Sequence, residues 1–269
     1  MLATIFRRRK TKMGIIEKMR LDGKAIYVTG AASGIGKAAA TAFAGPGADV
    51  AIVDINIEGA EKVAKEIAEA TGSKTIAIQC DVTKQDQVEA MVAKVVDTYG
   101  KLDACYNNAG IALNVEAENM TYEQWSKVID INLNGTFFMT QAVCRHMVDK
   151  GIKGVVINTS SVASQIVSPN TGAYSASKGG VTMFTKFAAL EMAKYGIRVC
   201  AFGPGTHATR LTEGTRLNPE RCEMFLRNIP MGRFGEPDEA TSVALFLGSD
   251  EASYCTGQTW IEDGGNTLF

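Results

Sequence analysis

From Gly23 onward, short runs of β-branched and apolar residues alternate with longer stretches of helical periodicity, a pattern that signals parallel βαβ units. Residues 24–29 predict a first strand and 34–44 a helix that Gly45-Pro46-Gly47 ends. A second strand is expected over 48–53, followed by a helix over 58–70 with Val63, Ala64 and Ile67 on one face. A strand at 74–79, a helix at 85–99 and a strand at 102–106 come next. Helices near 122–134 and 135–150 then lead to a strand at 154–159. A long helix over 172–195 precedes a strand at 197–202, and a helix at 237–248 and a strand at 258–262 complete the chain. The segment 204–235 carries no strand signal and reads as a loop with short helices, a candidate lid. Seven strands with helical crossovers predict an α/β fold, a doubly wound parallel sheet of the Rossmann type, in one domain over 21–269.

Composition supports that picture. Hydrophobic residues make up 46% of the 269 positions, enough to cover both faces of a central sheet, and charged residues 21%. The formal net charge of -1 suggests no nucleic-acid partner. Residues 1–20, however, hold seven basic side chains, Arg7 to Lys10 among them, against the single acid Glu17. This basic N-terminal extension reads as a solvated segment ahead of the domain or as a targeting or membrane-surface segment. Ile15, Ile16 and Met19 form an apolar stripe suited to packing on a neighbouring subunit. No stretch approaches the ~20 apolar residues of a membrane span. Six cysteines without a CxxC pair fit reduced, mostly buried thiols in a cytoplasmic protein. His146 and His207 are the only histidines, too few for a multi-histidine metal centre, and no metal is expected.

Candidate chemistry begins after the first strand, where Thr29-Gly30-Ala31-Ala32-Ser33-Gly34-Ile35-Gly36 opens a helix. Such glycines either form a plain tight turn or let the backbone approach a pyrophosphate met by the helix N-terminus. Asp54, at the end of the second strand, lies 18 residues beyond Gly36. It is placed to bind the hydroxyls of an adenosine ribose or to cap the next helix. No Arg or Lys stands at 31–33 or at Ile55, where a 2′-phosphate would need one, so NAD(H) is preferred over NADP(H). Tyr174 and Lys178 stand four apart on one helical face. A nearby ammonium and an oxidised nicotinamide would both favour phenolate and turn a poor base into a usable one.

Together with Asp81, Asn107-Asn108-Ala109-Gly110, Asn132, Ser161 and Pro204-Gly205, these motifs resemble the short-chain dehydrogenase/reductase family from about Leu21 to Phe269. The resemblance implies a catalytic set of Asn132, Ser161, Tyr174 and Lys178. Tyr174 would be the acid/base, Lys178 its electrostatic support and ribose ligand, Ser161 a hydrogen-bonding partner of the reacting oxygen, and Asn132 the holder of a proton-relay water. Ser160 is the alternative to Ser161, which better fits the spacing of 13 residues before the tyrosine. Cofactor contacts are implied at Gly30, Ser33, Gly34, Ile35, Gly36, Asp54, Asp81, Val82, Asn108, Ala109, Gly110, Tyr174, Lys178, Pro204, Gly205, His207 (through its backbone) and Thr209. Family members of this size usually form homotetramers, here through the helices at 135–150 and 172–195 and the C-terminal strand region. Ala188, Ala189 and Ala193 would permit the close helix pairing. Cys200, where asparagine is common, His207, where an aliphatic residue is usual, and Ser164, where glycine is frequent, depart from the family pattern.

Ile166, Val167, Leu211, Met224 and Phe225 are expected to line the substrate site. They either give it an apolar mouth or pack the lid on the body. The apolar reading implies a small ring-shaped secondary alcohol or ketone such as a hydroxysteroid. A sugar or polyol, or a 3-oxoacyl group, is the alternative. A catalytically inactive dinucleotide-sensing protein is a further one, although it has no need of Ser161, Tyr174 and Lys178 together.

Overall fold

The computed structural model describes residues 14–268. The Arg7–Lys10 run, and with it most of the basic extension, lies outside the described residues. Strands β1 (Ala25–Thr29), β2 (Asp49–Asp54), β3 (Thr75–Gln79), β4 (Ala104–Asn107), β5 (Val155–Thr159), β6 (Arg198–Pro204) and β7 (Thr259–Glu262) form one sheet. Their order is β3-β2-β1-β4-β5-β6-β7, and every pairing is parallel. The connecting helices are α1 (Gly34–Ala44), α2 (Ile57–Thr71), α3 (Gln85–Tyr99), α4 (Tyr122–Ile129), α5 (Gly135–Lys150), α6 (Gly172–Met192), α7 (Pro219–Arg227) and α8 (Glu239–Gly248).

Both faces of the sheet are covered, which is why its strands read as near-continuous apolar runs. Successive residues still alternate between two cores. Ile26, Val28, Val50, Ile52, Tyr106 and Ile157 join Phe43 of α1, Ile67 of α2 and Leu247 of α8 on one side. Tyr27, Ala51, Val53, Cys105 and Val156 join Met91 of α3 and Met139 and Met147 of α5 on the other. All six cysteines are unpaired, and Cys80, Cys105, Cys144 and Cys200 are buried.

The expected pair of helices near 122–150 is one nearly continuous helix. A π-helical segment, Asp130–Asn134, joins α4 to α5 without a break. The strand order reverses between β1 and β4, so the turns that follow these two strands diverge and leave a cleft at their carboxyl ends. The segment 204–235 contains short helical turns at Arg210–Thr212 and Glu213–Arg216 and the helix α7. A backbone bridge between His207 and Gly235 ties its two ends.

Of the alanines expected to permit helix pairing, Ala188 and Ala189 are buried against the chain's own core, and Ala193 is exposed. The large apolar residues that α5 and α6 leave exposed are Phe137, Met183, Phe187 and Leu190. Residues Ile15–Lys18 form a single helical turn whose Lys18 ion-pairs with Glu251 at 2.6 Å, leaving Ile15 and Ile16 exposed.

Candidate active site

At the switch point, Thr29 ends β1 with its hydroxyl accepting hydrogen bonds from the N–H groups of Asn108 at 3.0 Å and Ala109 at 3.1 Å. The Asn108 amide donates in turn to the Thr29 carbonyl at 3.0 Å. These bonds hold the turn after β4 against the glycine turn after β1. Gly30 and Gly34 both have positive φ, 64° and 55°, which favours glycine there. A Cβ at Gly36 would collide with the Gly30 carbonyl oxygen, so Gly36 shapes the turn from beneath and does not line the cleft. The resulting backbone is bare enough for a phosphate group to approach the N-terminus of α1.

The cleft has a volume of about 340 Å³ and is lined by Gly30, Ser33, Gly34, Ile35, Asp54, Asp81, Val82, Asn108, Ala109, Gly110, Tyr174, Lys178, Pro204 and Thr209. Most of the expected cofactor residues therefore share one surface. The Asp54 carboxylate accepts from the N–H groups of Ala32 and Asn56, each at 3.0 Å, which fixes its orientation at the cleft wall. Capping α2 falls instead to Asn56, whose side chain accepts from the Gly59 N–H. Asp81 accepts from the backbone and hydroxyl of Thr83 at 2.9 and 2.7 Å. An extended molecule with an acid-bound ribose at one end and phosphates over the glycine turn fits these donors and acceptors.

At the far wall Gly205 and the His207 side chain lie outside the cleft lining, whereas the contact expected of His207 is through its backbone. Gly205 faces the neighbouring cavity, where a Cβ would strike Asp263, and not the dinucleotide cleft. His207 is 3% exposed. Its Nε2 lies 3.2 Å from Glu262 Oε2 and its Nδ1 3.2 Å from the Gly205 carbonyl oxygen, so the imidazole reaches neither cofactor cleft nor substrate cavity. Burial works against its protonation. Glu262 and the Gly205 carbonyl, with Glu239 at longer range, outweigh that effect and raise its pKa. This partner stands 55 residues away in the sequence, beyond the reach of any local signal.

Tyr174 lies at the junction of the cleft with a second cavity of about 440 Å³. Ser161 lines that second cavity beside it. Ser160 is turned into the core, 2.6 Å from the Thr182 hydroxyl, so of the two serines only Ser161 faces the cavity. Ser164, at the glycine-frequent position, donates to the Ser161 carbonyl at 2.7 Å and braces this loop. Lys178 is 3% exposed, and its Nζ donates to the Thr159 carbonyl at 2.7 Å. Burial pushes its pKa down to about 8. The Asn132 amide is paired with both backbone groups of Ile111 at 2.9 Å and donates to Ser177 at 3.0 Å. Asn132 thus sits at the π-helical segment, a feature often found at functional sites.

Burial pushes the Tyr174 phenol above its ordinary range, and the Ser161 side chain pulls the other way. The expectation that Lys178 depresses the phenol is not met by the protein alone. Its Nζ lies 5.7 Å from the ring centroid, engaged by Thr159, and burial has weakened its own hold on a proton.

Ile166, Leu211, Met224 and Phe225 line the larger cavity. Val167 is 82% exposed and lines only an adjoining cavity of about 250 Å³. The mouth is less apolar than the sequence suggests, because Asn114, Asn170, Glu220, Arg221 and Asn266 also contribute to the wall. Asn114, Asn170 and Asn266 come from separate loops and Glu220 and Arg221 from the start of α7, and together they carry no motif.

Fold and cleft define the class: a doubly wound α/β protein with a cleft shaped for a dinucleotide at its switch point. Residues 30–267 match the family described as Enoyl-(Acyl carrier protein) reductase. The 3-oxoacyl-[acyl-carrier-protein] reductase FabG of Thermotoga maritima is 44% identical over 247 residues, covering 92% of this chain and 99% of that protein. The 3beta-hydroxysteroid dehydrogenase 1 of Eggerthella lenta is 40% identical over 250 residues, covering 93% and 95%. A solved gluconate 5-dehydrogenase from Burkholderia cenocepacia J2315, in complex with NADP and tartrate, has a TM-score of 0.91 at 33% identity, covering 95% and 100%. The chain belongs to the short-chain dehydrogenase/reductase family. That family uses a nicotinamide dinucleotide. Among the described residues no helix is long and apolar enough to cross a membrane.

Proposed function

We propose that this protein is an NAD(H)-dependent oxidoreductase that interconverts a secondary alcohol and its ketone on a small substrate with an apolar ring body. The observation that carries the reading is the position of Tyr174, shared by the dinucleotide cleft and by the cavity that also holds Ser161. When bound, the nicotinamide accepts or supplies the hydride and, in its oxidised form, adds a positive charge beside the phenol. Tyr174 takes the alcohol proton during oxidation and returns it during reduction. The Ser161 hydroxyl holds the reacting oxygen. Lys178 keeps a cation near the ring and binds the nicotinamide ribose, while Asn132 holds the water through which protons pass to solvent. Asp54 binds the adenosine ribose, and its charge disfavours the 2′-phosphate of NADP(H).

Residues 21–269 act in this reading as the catalytic domain, 204–235 as its lid, and 1–20 as a separate extension. The exposed apolar residues of α5 and α6 suit them to the contact faces of a cytoplasmic homotetramer. Within the substrate cavity, Leu211, Met224 and Phe225 favour a hydroxysteroid-like body. A second reading, a sugar or polyol, draws on Asn114, Glu220, Arg221 and Asn266 in the same wall. A panel of hydroxysteroids, cyclic alcohols, polyols and 3-oxoacyl thioesters, read by NADH absorbance, separates the two. Turnover of ring alcohols supports the first reading, and turnover confined to polyols or sugar acids replaces it.

A further inference from the structure

A pyrophosphate brings two negative charges to the glycine turn, yet Ala31, Ala32 and Ser33 provide no cation. The N-terminus of α1 offers only about half an elementary charge. Lys178, a cation in the cleft wall, is buried and engaged by the Thr159 carbonyl. Asp54 and Asp81 make the adenosine end acidic. The lid supplies what is missing. Thr209 packs toward the start of α1, its methyl carbon 3.5 Å from where a Cβ of Gly34 would lie. Arg210, the next residue, is exposed and lines the same cleft. Its guanidinium makes no hydrogen bond or ion pair among the described residues, whereas Arg227 and Arg233 of the same segment are paired with Glu223 and Glu239. Arg216 steadies the approach by donating to the Thr209 carbonyl at 3.1 Å.

We propose that Arg210 is a lid-borne clamp for the pyrophosphate of the dinucleotide, a binding role beyond the glycine turn and the threonine before it. This rests on the dinucleotide reading above. The guanidinium matches phosphate oxygens in a two-pronged geometry that an ammonium reproduces only in charge. Arg210 thereby couples the lid to the cofactor, so that filling the cleft draws the substrate-covering segment over the body.

Arg210→Gln and Arg210→Lys test this by titration with NADH and ADP-ribose, both carrying the pyrophosphate, and with adenosine, which lacks it, read by displacement of NADH fluorescence. Expected is a loss of about tenfold for NADH and ADP-ribose in the Gln variant, the lower end for a charge-assisted hydrogen bond. The Lys variant should recover part of it, adenosine affinity should stay unchanged, and the salt sensitivity of NADH binding should fall. Binding of NADH within twofold of the unmutated protein, or an equal loss for adenosine, overturns the clamp. Failure of the unmutated protein to bind either NADH or ADP-ribose overturns the dinucleotide reading as well.

Discussion

Replacing Lys178 by methionine keeps an apolar stem in a buried site and removes a cation that the fold disfavours. The ammonium is 3% exposed, and burial lowers its pKa from 10.5 to about 8. In the unfolded chain it returns to about 10.4. Below pH 8 both states carry the proton, and folding costs about 3 kcal/mol for that burial. Above pH 8 the unfolded chain holds more protons than the folded one, so stability rises with pH until the unfolded lysine also titrates. Methionine has no such dependence, although it forfeits the bond to the Thr159 carbonyl, worth about 1 kcal/mol, at every pH. The stability of the variant relative to the unmutated protein should therefore fall by about 2–3 kcal/mol between pH 7 and pH 10. Urea unfolding without cofactor, followed by tryptophan fluorescence at a series of pH values, measures the difference. Burial raises the pKa values of Tyr27, Cys105 and Tyr106, so both proteins lose stability as the unfolded chain ionises these groups. That loss cancels in the comparison. Parallel profiles, with a difference constant to within about 0.5 kcal/mol, would refute the buried-cation reasoning.

Gly36→Ala should abolish NADH binding and cost about 1–3 kcal/mol, because the added methyl meets the Gly30 carbonyl and the Asn108 side chain; calorimetry and urea unfolding measure the two losses, and unchanged NADH affinity would contradict the turn's role. NADH should bind more tightly than NADPH, and Asp54→Ala with Ile55→Arg should narrow or reverse the gap. Equal dissociation constants for the two cofactors in the unmutated protein would end that argument. Phe187→Asp with Leu190→Asp, on the exposed face of α6, should lower the mass observed by light scattering while leaving the melting temperature of the separated subunit measurable; an unchanged mass would remove this face from the assembly.

Much of the fold was legible because the central strands are largely apolar on both faces and the crossover helices carry their own periodicity. Helix Gln85–Tyr99 lies where periodicity placed it, and Gly100, with φ 78°, ends it in the left-handed conformation. The π-helical segment at Asp130–Asn134 was hidden, since a switch from i→i+4 to i→i+5 backbone bonding has no residue signature of its own. In the site, residues marked by fixed spacing, Gly30, Ser33, Gly34, Ile35, Ser161, Tyr174 and Lys178, line two adjoining cavities. What escaped depends on long-range packing. The His207–Glu262 pair joins the segment just past β6 to the end of β7. The polar wall of Asn114, Glu220 and Asn266 is likewise assembled from two loops and the first turn of α7, so a list of apolar lid residues overstated how greasy the cavity is.

The central claim is that Tyr174 moves the proton, and Tyr174→Phe tests it most directly. The substitution keeps the ring that shapes both cavities and deletes only the hydroxyl. Turnover should fall by at least the ~10²-fold that general acid–base groups contribute, while NADH binds within about threefold of the unmutated protein. A phenylalanine variant that retained more than about a tenth of the original rate on an accepted substrate would contradict the account.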